Sequence, residues 1–324
     1  MPEFTMSKAI NRALAHELKR DPRMLVFGED VGKLGGIFRV TDGLQKRFGK
    51  KRVFDTPSAE AAIAGSALGL ALAGWHPVAE MQFDGFSYPA LDQVISHVAR
   101  YKNRTKGVVS LPLVIRMPCG GGLRGKEHHA ESPETYYAHT PGLKVLCPSG
   151  ALDAYELMQQ AIRDPDPVIV LEPKRLYGVA EKGQLGKGAL PMGIARTVRD
   201  GREVTIVTYG GMVPRAVEAA EQAEAQGISA QVLDLRSLAP LDIEGLRDAV
   251  RATGRAVVVH EAPKTLGLGA EIAARIMEEC FDRLQAPVVR VTGYDTPYPP
   301  PLLEDPWFPT VERIADAVTR VVRS

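Results

Sequence analysis

The residues best suited to chemistry fall in four short stretches. Gly28-Glu29-Asp30-Val31-Gly32 is an acidic loop directly after the apolar run Met24 to Phe27. In open α/β sheets ligands bind beyond the carboxyl ends of strands, where such a loop would lie; a turn whose acids face water is the plainer reading. Glu60 stands in the first turn of an expected helix. There the helix dipole alone favours a carboxylate, but a half-buried carboxyl beside apolar walls also has a raised pKa that suits proton exchange with a ligand. Gln82-Phe83-Asp84-Gly85-Phe86 ends an expected strand, with Phe86 either core or a platform for a flat heteroaromatic ring. Finally, Gly120-Gly121-Gly122-Leu123-Arg124-Gly125-Lys126-Glu127-His128-His129-Ala130-Glu131-Ser132-Pro133-Glu134 combines glycines able to move with two histidines. Neighbours in extended chain point opposite ways, so one histidine at most is expected to face a site. A histidine near its ordinary pKa exchanges protons at neutral pH; a solvated surface loop is the alternative.

The elements that must carry these residues alternate. Apolar spacing predicts a helix from Thr5 to Lys19, ended by Asp21-Pro22. A strand is expected at Met24 to Phe27 and a short apolar piece at Val53-Phe54. Thr56-Pro57-Ser58 is expected to open a helix that runs to about Gly74. On it Ala61, Gly65, Gly69 and Ala73 recur every four residues, a small-residue stripe that packs either within one core or across a subunit interface. A strand at Pro77 to Phe83, a helix at Pro89 to Lys102 and a strand at Leu111 to Met117 precede the long loop 118–142, of a length that is often functional. Lys144 to Cys147 and Val168 to Leu171 read as strands around a helix at Leu152 to Arg163. This is the pattern of a mostly parallel sheet covered by helices.

The Gly-rich, Lys-containing segment Gly178 to Gly193 marks a boundary. It divides the chain into a first domain (1–180), a linker (181–195) and a second domain (196–324). In the second, strands are expected near Val204–Thr208, Ala230–Leu235, Ala256–Val259 and Val288–Val291. Helices are expected near Pro214–Gln226, Ile243–Ala252, Gly269–Leu284 and Val311–Val322. The fold class is therefore α/β, with two doubly wound domains.

Composition narrows the field. The 324 residues carry 40 Lys and Arg against 39 Asp and Glu, a net charge of +1, so no global field draws nucleic acid or an anionic membrane. Cys119, Cys147 and Cys280 are far apart and odd in number, against a disulfide scaffold and for a reducing compartment such as the cytoplasm. The N-terminus lacks the apolar core of a signal peptide, and Ala61 to Trp75 is too short for a membrane span. There is no GxGxxG opening a helix, no GxxxxGK[ST], no GxSxG, no HExxH and no Gly-Asp-Gly…Asn segment for a diphosphate and magnesium.

Taken in order, the motifs resemble the beta subunit of the decarboxylase component of 2-oxo acid dehydrogenase complexes. They are Gly28-Glu29-Asp30-Val31-Gly32, Asp55-Thr56-Pro57 with Glu60, Ala79-Glu80-Met81-Gln82-Phe83, Leu91-Asp92-Gln93, His129-Ala130-Glu131-Ser132-Pro133-Glu134, Pro141-Gly142-Leu143-Lys144-Val145 and Leu171-Glu172-Pro173-Lys174-Arg175-Leu176-Tyr177. Val232-Leu233-Asp234-Leu235-Arg236 and Gly293-Tyr294-Asp295-Thr296-Pro297 extend the resemblance over nearly the whole chain.

The resemblance implies a transketolase-like pyrimidine-binding domain followed by a transketolase C-terminal-like domain. It also implies an alpha–beta heterotetramer whose sites, between chains, hold thiamine diphosphate. The alpha subunit would hold the magnesium and diphosphate, in keeping with the missing motif. Glu60 would hydrogen-bond the aminopyrimidine and favour its imino tautomer. Glu29, Ser58, Ala59 and Gln82 would line the cofactor or substrate pocket, with Phe86 stacked on the pyrimidine. Phe83, Phe86 and His129 would meet the substrate, His129 as the proton-transfer group and His128 as the lesser candidate. Glu131 departs from the family's Ser-Gln-Ser-Pro segment by adding a charge beside His129. The resemblance further implies a structural potassium ion at Leu113, Ala161, Asp164 and Asp166; two acids in an Asp-Pro-Asp-Pro turn are also plain turn formers. The acyl group would pass to a lipoyl-bearing acyltransferase core. Glu172-Pro173-Lys174-Arg175-Leu176-Tyr177 and Tyr294-Asp295-Thr296-Pro297 lean towards the branched-chain members, with pyruvate and acetoin dehydrogenases next. A transketolase-like enzyme acting on sugars and a non-catalytic scaffold subunit are the competing readings.

Overall fold

A computed structural model describes residues 1–324, apart from the side chain of Glu127. The chain builds sheets of seven and five strands, and a two-stranded ribbon pairing Glu3–Thr5 with Ala180–Lys182. The seven-stranded sheet runs in the order Ser237–Ala239, Lys144–Leu146, Val168–Pro173, Val114–Cys119, His76–Glu80, Met24–Gly28, Val53–Asp55. All its pairs are parallel except the first. The strands Met24–Gly28, Val114–Cys119 and Val168–Pro173 are buried throughout. That explains why they read as apolar runs, interrupted only by the paired Arg116 and Glu172, rather than as alternating ones. The five-stranded sheet runs Val289–Gly293, Ala256–Pro263, Val204–Thr208, Ala230–Asp234, Arg196–Arg199, with only the last antiparallel. The architecture is the expected α/β one.

The helix Met6–Arg20 is capped by Thr5, whose hydroxyl accepts from the Lys8 N–H. It packs on the helix Ala151–Arg163, and the two are tied by buried Glu17, which accepts from Arg20 and Arg163 at 2.6 Å each.

Three local expectations are corrected. The helix expected to open at Thr56-Pro57-Ser58 begins at Glu60 and ends at Leu72. The Thr56 N–H still donates to the Gly28 carbonyl at 3.0 Å, and the helix starts three residues later than a proline at its first position would place it. The strand expected through Phe83 stops at Glu80, which frees Gln82 to Phe86 to form a turn. The helix expected over Pro89–Lys102 is broken into a 3-10 turn at Gly85–Ala90, a π-helical turn at Gln93–Val98 and a short α-helix at Tyr101–Arg104. Pro89 has no N–H for the regular ladder, and π-turns recur at functional sites.

The strand Ser237–Ala239 is one the sequence reading passes over. It belongs to the second half yet pairs with Lys144–Leu146 at the edge of the first sheet. Its neighbour Arg236, 1% exposed, donates to Asp153 at 2.6 Å and to the Ile194 carbonyl at 2.8 Å. One apolar cluster runs through both halves, joining Ile115, Val145 and Leu171 to Val207, Leu235 and Leu238.

Candidate active site

Parallel strands place their carboxyl ends side by side, and the candidate residues gather there. Gly28 closes one strand with its φ at +155°, and a Cβ on it would stand 2.5 Å from the Glu80 carbonyl of the next. This close approach turns Glu29 beneath the first turn of the helix at Glu60. Glu29 is 8% exposed, and its Oε1 is buried without a hydrogen-bond partner. Burial pushes its carboxyl above the usual range, the neighbouring Glu60 carboxyl adds to this, and hydrogen bonding from Ser58 partly offsets it. Glu29, Ser58 and Glu60 therefore form one cluster. The Glu60 carboxyl thus disfavours the charged form of Glu29 beside it. Ala59 is the capping position of the helix and is exposed.

The turn 82–86 joins this cluster to the histidines. Gln82 donates to Asp30 at 2.9 Å. Phe83 and Phe86 meet edge to face at 5.5 Å, and the His129 ring stands edge-on to both, at 4.5 and 5.1 Å between centroids. His129 Nδ1 is buried without a partner. Burial, then the nearby His128, Lys174 and Lys126 charges, lower its pKa, so the ring is neutral at pH 7 and able to accept a proton. The expectation that only one of the two histidines can face the site is corrected. Residues 127–129 form a 3-10 turn, not extended chain, and the His128 ring lies 4.4 Å from His129 and stacks on Phe86 at 5.7 Å.

Several supporting residues went unread. Lys174 and Asp84 form a buried ion pair directly beneath the turn, with Lys174 Nζ 5.8 Å from the Phe83 ring centroid. Asp84 also accepts from the Gly85 N–H at 2.9 Å. Arg116, 1% exposed, bridges Glu80 and Glu172 across three adjacent strands. Phe38 packs on Phe83 at 5.7 Å and on Tyr177 at 4.8 Å. A charged residue inside a run otherwise buried, such as Arg116 between Ile115 and Met117, is the one sequence signal that could have flagged such a pair.

The other expected groups lie apart. Asp164 accepts from Lys144 at 2.7 Å and Asp166 from Lys102 at 2.6 Å. The Leu113 and Ala161 carbonyls accept backbone N–H groups, of Val168 at 3.1 Å and Asp164 at 3.3 Å. Among the described residues no group of three or more His, Cys, Asp or Glu is placed to hold a metal ion. None of the described helices is long and apolar enough to cross a membrane. Of the small-residue stripe, Ala61, Gly69 and Ala73 are exposed and Gly65 is half-buried beside Gln93, while Ile63, Ala64, Ala67 and Ala71 form the buried face of the helix.

Comparison with known proteins identifies the two domains. Residues 2–179 match the transketolase pyrimidine-binding domain and residues 193–314 the transketolase C-terminal domain. The 3-methyl-2-oxobutanoate dehydrogenase subunit beta of Mycobacterium tuberculosis is 53% identical over 99% of this chain and 92% of its own length. The pyruvate dehydrogenase E1 component subunit beta of Leifsonia xyli is 49% identical over 97% of this chain and 94% of its own length. Among solved structures, a split-gene transketolase described as an inactive beta4 tetramer superimposes with a TM-score of 0.82 at 26% identity, covering 99% of this chain and 98% of that one. A transketolase variant from Pichia stipitis, 15% identical, shares the fold with a TM-score of 0.73 over 100% of this chain and 47% of its own. By its two domains and its relatives, the chain belongs to the family of transketolase-like beta subunits of 2-oxo acid dehydrogenases.

Proposed function

We propose that this chain supplies the pyrimidine-binding half of a thiamine diphosphate site and works, with an alpha subunit, in the oxidative decarboxylation of a branched-chain 2-oxo acid. The observation that carries this is the Glu29–Ser58–Glu60 cluster, whose Glu29 Oε1 is buried and unpartnered beside the carboxyl at the helix start. Such a site suits a ligand bearing both ring nitrogens and an amino group, as an aminopyrimidine does. When bound, the coenzyme supplies a nucleophilic carbon that lets a 2-oxo acid lose carbon dioxide. Glu60 holds a proton at a pyrimidine nitrogen, and Glu29 with Ser58 fixes the orientation of that carboxyl. Phe86 and Phe83 exclude water and give the ring an apolar wall. His129, neutral and edge-on to both, moves a proton at the substrate and assists acyl transfer to a lipoyl group.

The exposed stripe Ala61–Gly69–Ala73 offers a partner close approach, since a Cβ at Gly69 would meet nothing within 4 Å. An alpha subunit packed on that face would hold the magnesium and diphosphate, and a lipoyl-bearing acyltransferase core would be the further partner. A potassium ion would sit at Leu113, Ala161, Asp164 and Asp166. Asp164 and Asp166 are already neutralised by Lys144 and Lys102, so no step depends on the ion. The three free cysteines suit a reducing compartment, and we place the enzyme in the cytoplasm.

The branched-chain choice follows the Mycobacterium tuberculosis relative and the segments Glu172-Pro173-Lys174-Arg175-Leu176-Tyr177 and Tyr294-Asp295-Thr296-Pro297. Its test is an assay of the reconstituted alpha–beta pair on 2-oxoisovalerate, pyruvate and 2-oxoglutarate. The expected order puts 2-oxoisovalerate first. Fastest turnover of pyruvate would move the chain to the pyruvate class, and turnover of none would sink the proposal.

A further inference from the structure

The segment 120–130 carries His129 and lies in the first half, yet side chains of the second half set its shape. Glu261 accepts from the Gly121 N–H at 3.1 Å. Glu304, 1% exposed, accepts from the Gly122 N–H through one oxygen and from the Arg124 N–H through the other, at 2.7 Å. The Tyr298 hydroxyl donates to Glu304 as well. At the far end of the segment, Ala130 is buried among Tyr298, Trp307 and Phe308. His129 sits between these two anchors.

The glycines, which in sequence suggest freedom to move, serve close approach here. A Cβ on Gly121 would stand 2.1 Å from the Tyr298 hydroxyl and 2.2 Å from the Phe308 ring. One on Gly122, whose φ is +98°, would stand 2.8 Å from the Arg175 Cβ. The histidine turn is in turn pressed on the 82–86 turn, since a Cβ on Gly85 would lie 2.5 Å from the His128 carbonyl oxygen. Two N–H groups leaving a tight turn each need an acceptor. A carboxylate serves both with charge-assisted bonds, whereas a glutamine offers one oxygen and would set its own N–H against the other donor.

We propose that Glu304, with Glu261 beside it, is a positioning residue that holds the His129 turn against Phe83 and Phe86 from the other half of the molecule. This rests on the reading of His129 as the proton-transfer group.

The test uses the assembled alpha–beta enzyme with the native chain, Glu304→Gln, His129→Ala and the double variant. Acyl transfer to lipoyl groups and amide hydrogen exchange are read on each. Glu304→Gln is expected to slow transfer about 10-fold or more when His129 is present, since small misplacements of reacting groups are costly. In the His129→Ala background it is expected to slow transfer less than about 2-fold, because the two residues act as one unit. Exchange at Gly122 and Arg124 is expected to quicken about 10-fold or more, with the Val204–Thr208 strand unchanged. Equal slowing in both backgrounds, unchanged transfer or unchanged exchange would each overturn the proposal. Native transfer by His129→Ala alone would overturn the role of His129 and Glu304's role with it, and is told apart because the fault then shows in the single histidine variant. If Glu304→Gln does not assemble, Tyr298→Phe removes one donor and is expected to show the same pattern at about 3-fold; a native pattern there counts against the proposal.

Discussion

Glu60 and His129 are held in different ways. Glu60 heads a thirteen-residue helix that packs on the strand His76–Glu80 and on the 3-10 turn Gly85–Ala90, all within the first half. Its placement follows from elements contiguous in sequence. His129 sits on a three-residue turn held by Glu261, Glu304, Tyr298 and Trp307, residues more than a hundred positions away. A site can thus join one group fixed by local structure to another fixed only once the whole chain has folded. The first should tolerate damage to the second half, and the second should not.

The largest effect expected is on the locally held side. Glu60→Ala should lower turnover by about 10² to 10⁴, the usual worth of a positioned acid–base group. Its unfolding free energy should stay within about 0.5 kcal/mol of native, since Glu60 is only half-buried and its carboxyl works against the charge on Glu29. Steady-state kinetics beside a denaturant titration separate the two. Unchanged turnover returns Glu60 to a helix-dipole role.

Beneath the turn, Lys174→Met should act the other way round, on stability first. It strands Asp84 in a fully buried position, a change worth about 3 to 5 kcal/mol in denaturant unfolding. Replacing both partners, Lys174→Met with Asp84→Asn, should recover most of that. A single variant as stable as native would show that the pair does not support the turn.

What was legible in the sequence follows the same division. The buried strands, the helix at Met6–Arg20 and the acid at the start of the Ala/Gly helix could be read because each signal lies within about fifteen residues of itself. Glu29, Gln82, Phe83, Phe86 and His129 could be named through the resemblance, but not their mutual contacts. The Asp84–Lys174 pair spans ninety positions and the Glu304–Arg124 contact 180. No periodicity encodes such separations. Adjacent His128 and His129 were misjudged because a 3-10 turn replaces the extended chain on which the geometric argument relied. Ser237–Ala239 was missed because its partner strand lies in the other half.

The smallest expected effect concerns pH. Burial pushes the Glu134 carboxyl up to about 7, from 4.5, although Tyr209 of the second half donates to it at 2.8 Å. The folded chain therefore keeps a proton that the unfolded chain releases between those values. Glu134's contribution is complete below pH 4.5 and is lost as pH rises through 7. Glu134→Gln keeps the bond to Tyr209 and carries no titrating proton. It should exceed the native chain in stability at pH 8, by up to about 3 kcal/mol, and show no such gain at pH 4. Thermal unfolding across this range checks the sign, and parallel curves for the two chains would contradict it.

Everything proposed for the site depends on its being half of one. The direct measurement is decarboxylation of 2-oxoisovalerate, with thiamine diphosphate and magnesium present, by this chain alone and by this chain mixed with its alpha partner. The account predicts no turnover from the isolated chain and turnover on mixing. Comparable turnover by the isolated chain would contradict it.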